Sequence, residues 1–136
     1  MHKIILIGNL GRDPEMRYLG DGKPVTNFSV AVNESWTGAD GEKHERTIWY
    51  RVSAWGRLAE TCNQYLSKGR QVFVEGRLRA DPETGGPRVY ERNDGSAGAS
   101  FEVTAQTVKF LSGRSSGGNN DGDFGGEAKE EEEIPF

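Results

Sequence analysis

The sequence predicts an all-β domain with one short helix: a small five-stranded barrel, followed by a tail that builds no core. Three observations carry this expectation. Apolar and polar residues alternate at the strand period of two in several separate stretches. Only residues 57–66 space their apolar groups as a helix does. From Gly113 aliphatic residues nearly vanish, and six glycines fall within residues 113–126.

Residues 3–10 read as the first strand, with four aliphatics in a row closed by Gly8-Asn9. Gly11-Arg12-Asp13-Pro14 interrupts it and Glu15–Leu19 resumes the alternation, the pattern of one long, bent strand. Gly20–Pro24 is a turn. The second strand, Val25–Asn33, turns Phe28, Val30 and Val32 inward and leaves the small Asn27, Ser29 and Ala31 outside. Thr37–His44 reads as a polar hairpin loop with Trp36 at its base.

The third strand, Glu45–Trp55, has two unlike faces. Ile48, Tyr50, Val52 and Ala54 suit a core, whereas Thr47, Trp49, Arg51, Ser53 and Trp55 lie opposite. Two indoles with an arginine between them are an unusual solvent face, because large aromatic surface on a strand calls for a covering. The interleaved guanidinium favours nucleic acid, whose bases stack on indoles while its phosphates pair with arginine. The competing reading is a strand buried on both sides.

Arg57–Leu66 is the helix, with Leu58, Cys62, Tyr65 and Leu66 as its apolar stripe. Gly69 is placed as its C-terminal stop and Lys68 as the charge opposing its dipole. The fourth strand, Gln71–Arg79, turns Val72, Val74, Gly76 and Leu78 inward. Residues 80–99 form an extended arm, with strand-like Arg88–Arg92 and a turn at Asn93-Asp94-Gly95. The fifth strand, Ser100–Leu111, puts Phe101, Val103, Ala105, Thr107 and Lys109 on one face.

Five strands with a helix between the third and fourth is the order of an OB-fold, which binds oligonucleotides across its second and third strands and the adjoining loops. The aromatic–arginine face lies on the third strand, and the arm is the loop between the fourth and fifth. Order and face agree.

Bulk composition fits one domain of 136 residues. Through Ser112 there are 15 Lys and Arg against 14 Asp and Glu, a charge of +1; residues 113–136 hold 2 against 7, a charge of −5. The acidity therefore belongs to the tail. Cys62 is the only cysteine, which excludes an intrachain disulfide and favours a reducing compartment. No run approaches a membrane span, the opening apolar run is too short for a signal peptide, and a cytoplasmic location is expected.

Several motifs in register resemble the bacterial single-stranded DNA-binding protein family: Ile7–Tyr18, Glu34-Ser35-Trp36, Trp49-Tyr50-Arg51-Val52, Gly56–Glu60, Tyr65–Gly69, Val74–Arg79 and the terminal Ile134-Pro135-Phe136. The likeness runs from residue 3 to about 112 and resumes at the tip. It implies base stacking at Trp36, Trp49 and Trp55 (where the family often has Phe), and phosphate contacts at Lys3, Arg17, Arg51, Arg57, Lys68 and Arg79. It also implies homotetramers, partners from DNA replication, recombination and repair, and a nucleoid-associated location. Two departures stand out. Where the family commonly has another stacking tryptophan, this chain has Asp81–Pro87, and Tyr90 between Arg88 and Arg92 is the candidate substitute, with Arg88 a further phosphate contact. Tyr50 stands where the family often has a histidine at a subunit contact.

The expected organisation is a DNA-binding barrel over 1–112, a flexible glycine-rich linker over 113–129 and an interaction tip over 130–136. The tip's Glu130, Glu131, Glu132 and Glu133 would repel phosphate, while Ile134, Pro135 and Phe136 offer apolar groups and a carboxylate to a pocket with a basic rim. No catalytic constellation, cofactor motif or metal site is expected: His2 and His44 have no ligand-spaced partner, and Gly8-x-x-Gly11 lacks a phosphate loop's lysine. Two alternatives remain at this stage, an RNA-binding barrel and a purely protein-binding primosome accessory.

Overall fold

The computed structural model describes residues 1–111. The linker and tip predicted at 113–129 and 130–136 lie outside the described residues.

In chain order the elements are β1 (Ile4–Leu10), β2 (Glu15–Tyr18), β3 (Pro24–Thr37), β4 (Lys43–Trp55), α1 (Arg57–Tyr65), β5 (Gln71–Arg79), β6 (Arg88–Glu91) and β7 (Ala97–Phe110). The strands are ordered β1-β5-β7-β4-β3-β2, and a further pairing of β1 with β3 closes the barrel. All ladders are antiparallel except β4 with β7, which is parallel. Closure brings two backbones so near that a side chain has no room. A Cβ at Gly8 would lie 2.2 Å from the Ala31 carbonyl oxygen, and one at Gly76 would lie 2.1 Å from that of Thr104.

The core follows the predicted alternation on β3, β4 and β5, and alternate residues of β1 join it. Leu6, Leu10, Phe28, Val30, Val52, Ala54, Val72 and Val74 are all buried. Helix α1 closes one end with Ala59 and Cys62, and the core's Thr26 donates its hydroxyl to the Ala59 carbonyl at 2.7 Å. Burial among apolar groups pushes the Cys62 thiol up to about 12, which makes it an inert packing group.

Four local expectations are corrected. Strands β3 and β4 run on to Thr37 and back from Lys43, because thirteen consecutive rungs pair without a break and the connection narrows to residues 38–42. Helix α1 ends at Tyr65 with Leu66 extended, so Gly69 does not stop it. Gly69, at φ +84°, instead serves the following turn, where Arg70 N–H bonds to the Ser67 carbonyl, and Lys68 is outside the helix's last turn.

On β7 a bulge at Gln106 reverses the alternation, since Glu75 faces Thr107 while Gly76 faces Ala105. Val108 and Phe110 therefore enter the core and Lys109 leaves it. Finally, Phe101, Leu78 and Tyr65, each assigned to an inward face, are exposed. Phe101 and Leu78 keep the inward parity but sit where their strands run past the barrel's end, and Phe101 rests against Tyr50 with ring centroids 5.8 Å apart.

Candidate nucleic-acid interface

Cross-strand register places the predicted residues on a common outer face. One row runs Arg17 (β2), Val25 (β3), Trp55 (β4). Another runs Ser29 (β3), Arg51 (β4), Glu102 (β7), Arg79 (β5). Between them lie Asn27 and Ser53, joined by a 2.7 Å hydrogen bond from the serine hydroxyl. Trp49 continues the β4 row opposite Ala31. The small residues of β3 leave the indoles uncovered, and Trp49 is 53% and Trp55 38% exposed.

Trp49 leans on the loop after β1. A Cβ at Gly11 would come within 2.6 Å of its ring, so the glycine lets the indole lie against the backbone. Gly11 N–H in turn bonds to the Ser29 carbonyl.

The arm folds back onto the same face. Strand β6 pairs with the start of β7 across the predicted turn, where Arg92 N–H bonds to the Ser96 carbonyl. Asp94 accepts bonds from the hydroxyl and N–H of Ser96, the hydroxyl bond being the larger cause of a carboxyl pKa below the usual value. Tyr90 stands opposite Gly98 and lies over it, with the Arg88 and Arg92 guanidinium carbons each 5.8 Å from its ring centroid. Two adjoining grooves result. One, of about 330 Å³, is lined by Arg17, Arg51, Arg79 and Arg88. The other, of about 430 Å³, lies between Trp49, Tyr90 and Phe101, with Arg51 common to both.

The remaining sequence-predicted residues sit elsewhere. Trp36 shares the parity of Val30 and Val32, so it projects from the opposite face of the β3–β4 hairpin. It is 43% exposed and already has neighbours: His44 stacks on it at 5.5 Å, and Arg46, paired with Glu34 at 3.0 Å, holds its guanidinium 4.8 Å from the ring. Lys3 pairs with Glu75 at 2.8 Å and lines neither groove. Arg57 opens α1, and Lys68 sits in the turn beyond it, where its N–H bonds to Asp13. Sequence reasoning missed Glu102, a carboxylate among the arginines, and the aromatic wall offered by Phe101. Alternation on β7, which sets Glu102 on the face opposite Phe101 and Val103, was the available signal for Glu102.

What the arrangement can do chemically is stack flat rings and neutralise anions in alternation. Among the described residues no group of His, Cys, Asp or Glu is placed to hold a metal ion, and no helix is long and apolar enough to cross a membrane.

Five barrel strands, a helix between the fourth and fifth elements of the sheet and a stacking face on β3 and β4 define a barrel of the OB class. Within that class, the chain belongs to the single-strand binding protein family, whose model matches residues 1–111. The single-stranded DNA-binding protein of Neisseria meningitidis serogroup A is 42% identical over 114 residues, which are 84% of this chain and 62% of that protein. Single-stranded DNA-binding protein 1 of Chlorobaculum tepidum is 40% identical over 119 residues, 87% of this chain and 69% of that one. Among solved structures, the Plasmodium falciparum protein in complex with single-stranded DNA superposes with a TM-score of 0.68 at 29% identity, covering 82% of this chain and 96% of that chain. A deletion mutant of the Thermus aquaticus single-stranded DNA-binding protein gives 0.67 at 31% identity, covering 84% and 52%. The family is one of DNA binders rather than enzymes.

Proposed function

We propose that the chain binds single-stranded DNA without sequence preference, laying bases on Trp49, Trp55 and Tyr90 and phosphates along Arg17, Arg51, Arg79 and Arg88. The observation that carries this reading is the outer face itself, where exposed rings and guanidinium groups alternate across one continuous sheet. Every base has a π-face, so stacking of this kind is indifferent to sequence. Trp36, Lys3, Arg57 and Lys68 extend the path of a longer strand around the barrel. The family match and the relatives' names support the same assignment.

The finer reading follows the family resemblance. The chain assembles as a homotetramer in the cytoplasm, associated with the nucleoid, and serves replication, recombination and repair. Exposed Ile5 and Ile7 on β1, exposed Val89 on the arm and half-buried Tyr50 supply apolar surface for subunit contacts. Residues 130–136 recruit partner proteins.

Titration of tryptophan fluorescence with oligo(dT) at two salt concentrations tests the binding. Quenching is expected, with affinity falling as salt rises by about 0.7 in log–log slope for each phosphate neutralised. Affinity independent of salt, or equal affinity for duplex DNA, contradicts the reading. A matched oligo(rU) titration reads whether the face prefers DNA to RNA.

A further inference from the structure

Glu102 is one of two carboxylates, with Asp81, in a groove that four arginines also line. Its side chain is only 12% exposed, and register sets it on β7 between Arg51 on one neighbouring strand and Arg79 on the other. Neither of those is within ion-pair distance. The carboxylate instead accepts a bond from Arg88 at 3.3 Å and one from the Ser100 hydroxyl at 3.0 Å. Arg88 belongs to β6, so this bridge fastens the arm to the barrel beside its first rung, Arg88 opposite Ser100. Arg88 also lies beside Tyr90, its guanidinium carbon 5.8 Å from the ring centroid, as is that of Arg92.

A carboxylate offers a guanidinium much the same oxygen acceptors as a phosphate does. We propose that Glu102 is an internal stand-in for phosphate: it holds Arg88 and the arm in place in the DNA-free protein and gives up Arg88 to the backbone when a strand enters the groove. This positioning role rests on the single-stranded DNA reading above. It has two consequences. Binding must break the Arg88–Glu102 pair, so Glu102 lowers affinity while pre-arranging the arm. Once Arg88 has moved to phosphate, the bare carboxylate attracts a salt cation, which offsets part of the counterion release.

The test compares wild type, Glu102→Gln, Arg88→Ala and the double variant as full chains. Glutamine keeps the size of the side chain and an oxygen for Ser100 while removing the charge. With oligo(dT), Glu102→Gln is expected to bind about 2- to 5-fold tighter, the range for losing a partly exposed ion pair. Its salt dependence should be steeper, by no more than the slope of about 0.7 that one phosphate contributes. In the Arg88→Ala background the gain from Glu102→Gln should disappear. Unchanged or weaker binding by Glu102→Gln overturns the proposal. So does a gain that survives Arg88→Ala, because it would reflect only the groove's overall charge. Amide exchange without DNA supplies a second reading: residues 88–100 should exchange faster in Glu102→Gln, and unchanged exchange overturns the positioning role whatever the DNA result. Failure of wild type to bind oligo(dT) would refute the functional reading itself, while the exchange comparison would still decide whether Glu102 holds the arm.

Discussion

Replacing Trp49 by alanine separates a binding role from a packing role. The indole is 53% exposed and its ring lies against Gly11, so removal takes away both a stacking surface and part of a local contact. Losing one base stack costs about 1–3 kcal/mol, or roughly 5- to 150-fold in Kd. A fully buried tryptophan cut to alanine costs about 3–5 kcal/mol of stability, and an indole with half its surface in solvent loses about half of that at most. Affinity should therefore fall by that factor while the loss of stability stays below that of a buried tryptophan. Anisotropy of a dye-labelled oligo(dT) measures affinity without relying on the protein's own indoles, and urea unfolding of the same samples measures stability. Trp49→Phe, which keeps an aromatic face, should retain most of the affinity. Full affinity in Trp49→Ala, with a loss of stability near that of a core substitution, would refute the reasoning.

Four further outcomes are expected. Gly8→Ala should lower the urea midpoint and destabilise by about 1–3 kcal/mol or more, because its Cβ would meet the Ala31 carbonyl oxygen at 2.2 Å where β1 and β3 close the barrel. Cys62, its pKa raised by burial from 9.0 to about 12, should resist thiol reagents in the native protein. Because the folded-state pKa is the higher one, the thiol's contribution to stability is intact below about pH 9 and is lost as pH rises towards 12, so wild type should lose more stability across that window than Cys62→Ala. Deleting Ile134-Pro135-Phe136 should abolish capture of replication and repair proteins while leaving oligo(dT) affinity equal or slightly higher; retained capture would remove the tip from the account.

The barrel is legible in the sequence because β3, β4 and β5 alternate in their buried halves. Asn27, Ser29 and Ala31 opposite Trp49, Arg51 and Ser53 announced an outer face before any pairing was known. The convergence of Arg17, Arg79 and Arg88 on Arg51 was not legible without the fold, since it depends on ladders between strands distant in sequence. Local pattern failed where tertiary structure changes the local rule. The bulge at Gln106 shifts Val108 and Phe110 by one position, and nothing in their neighbourhood marks it. Phe101 and Leu78 have the right parity for the core but stand beyond its end, which alternation alone cannot show. Gly69 has the left-handed conformation expected of it but uses it in a turn beyond the helix.

The central claim is that rings on the outer face of β3 and β4 receive the bases of a single strand. Fluorine NMR of the protein carrying 5-fluorotryptophan gives one resonance for each of its three indoles, assigned by single Trp→Phe variants. On addition of oligo(dT), the Trp49 and Trp55 resonances should shift together and saturate at one ratio of strand to protein, whereas duplex DNA of equal length should leave them in place. Resonances of Trp49 and Trp55 that do not move at saturating oligo(dT) would contradict the claim.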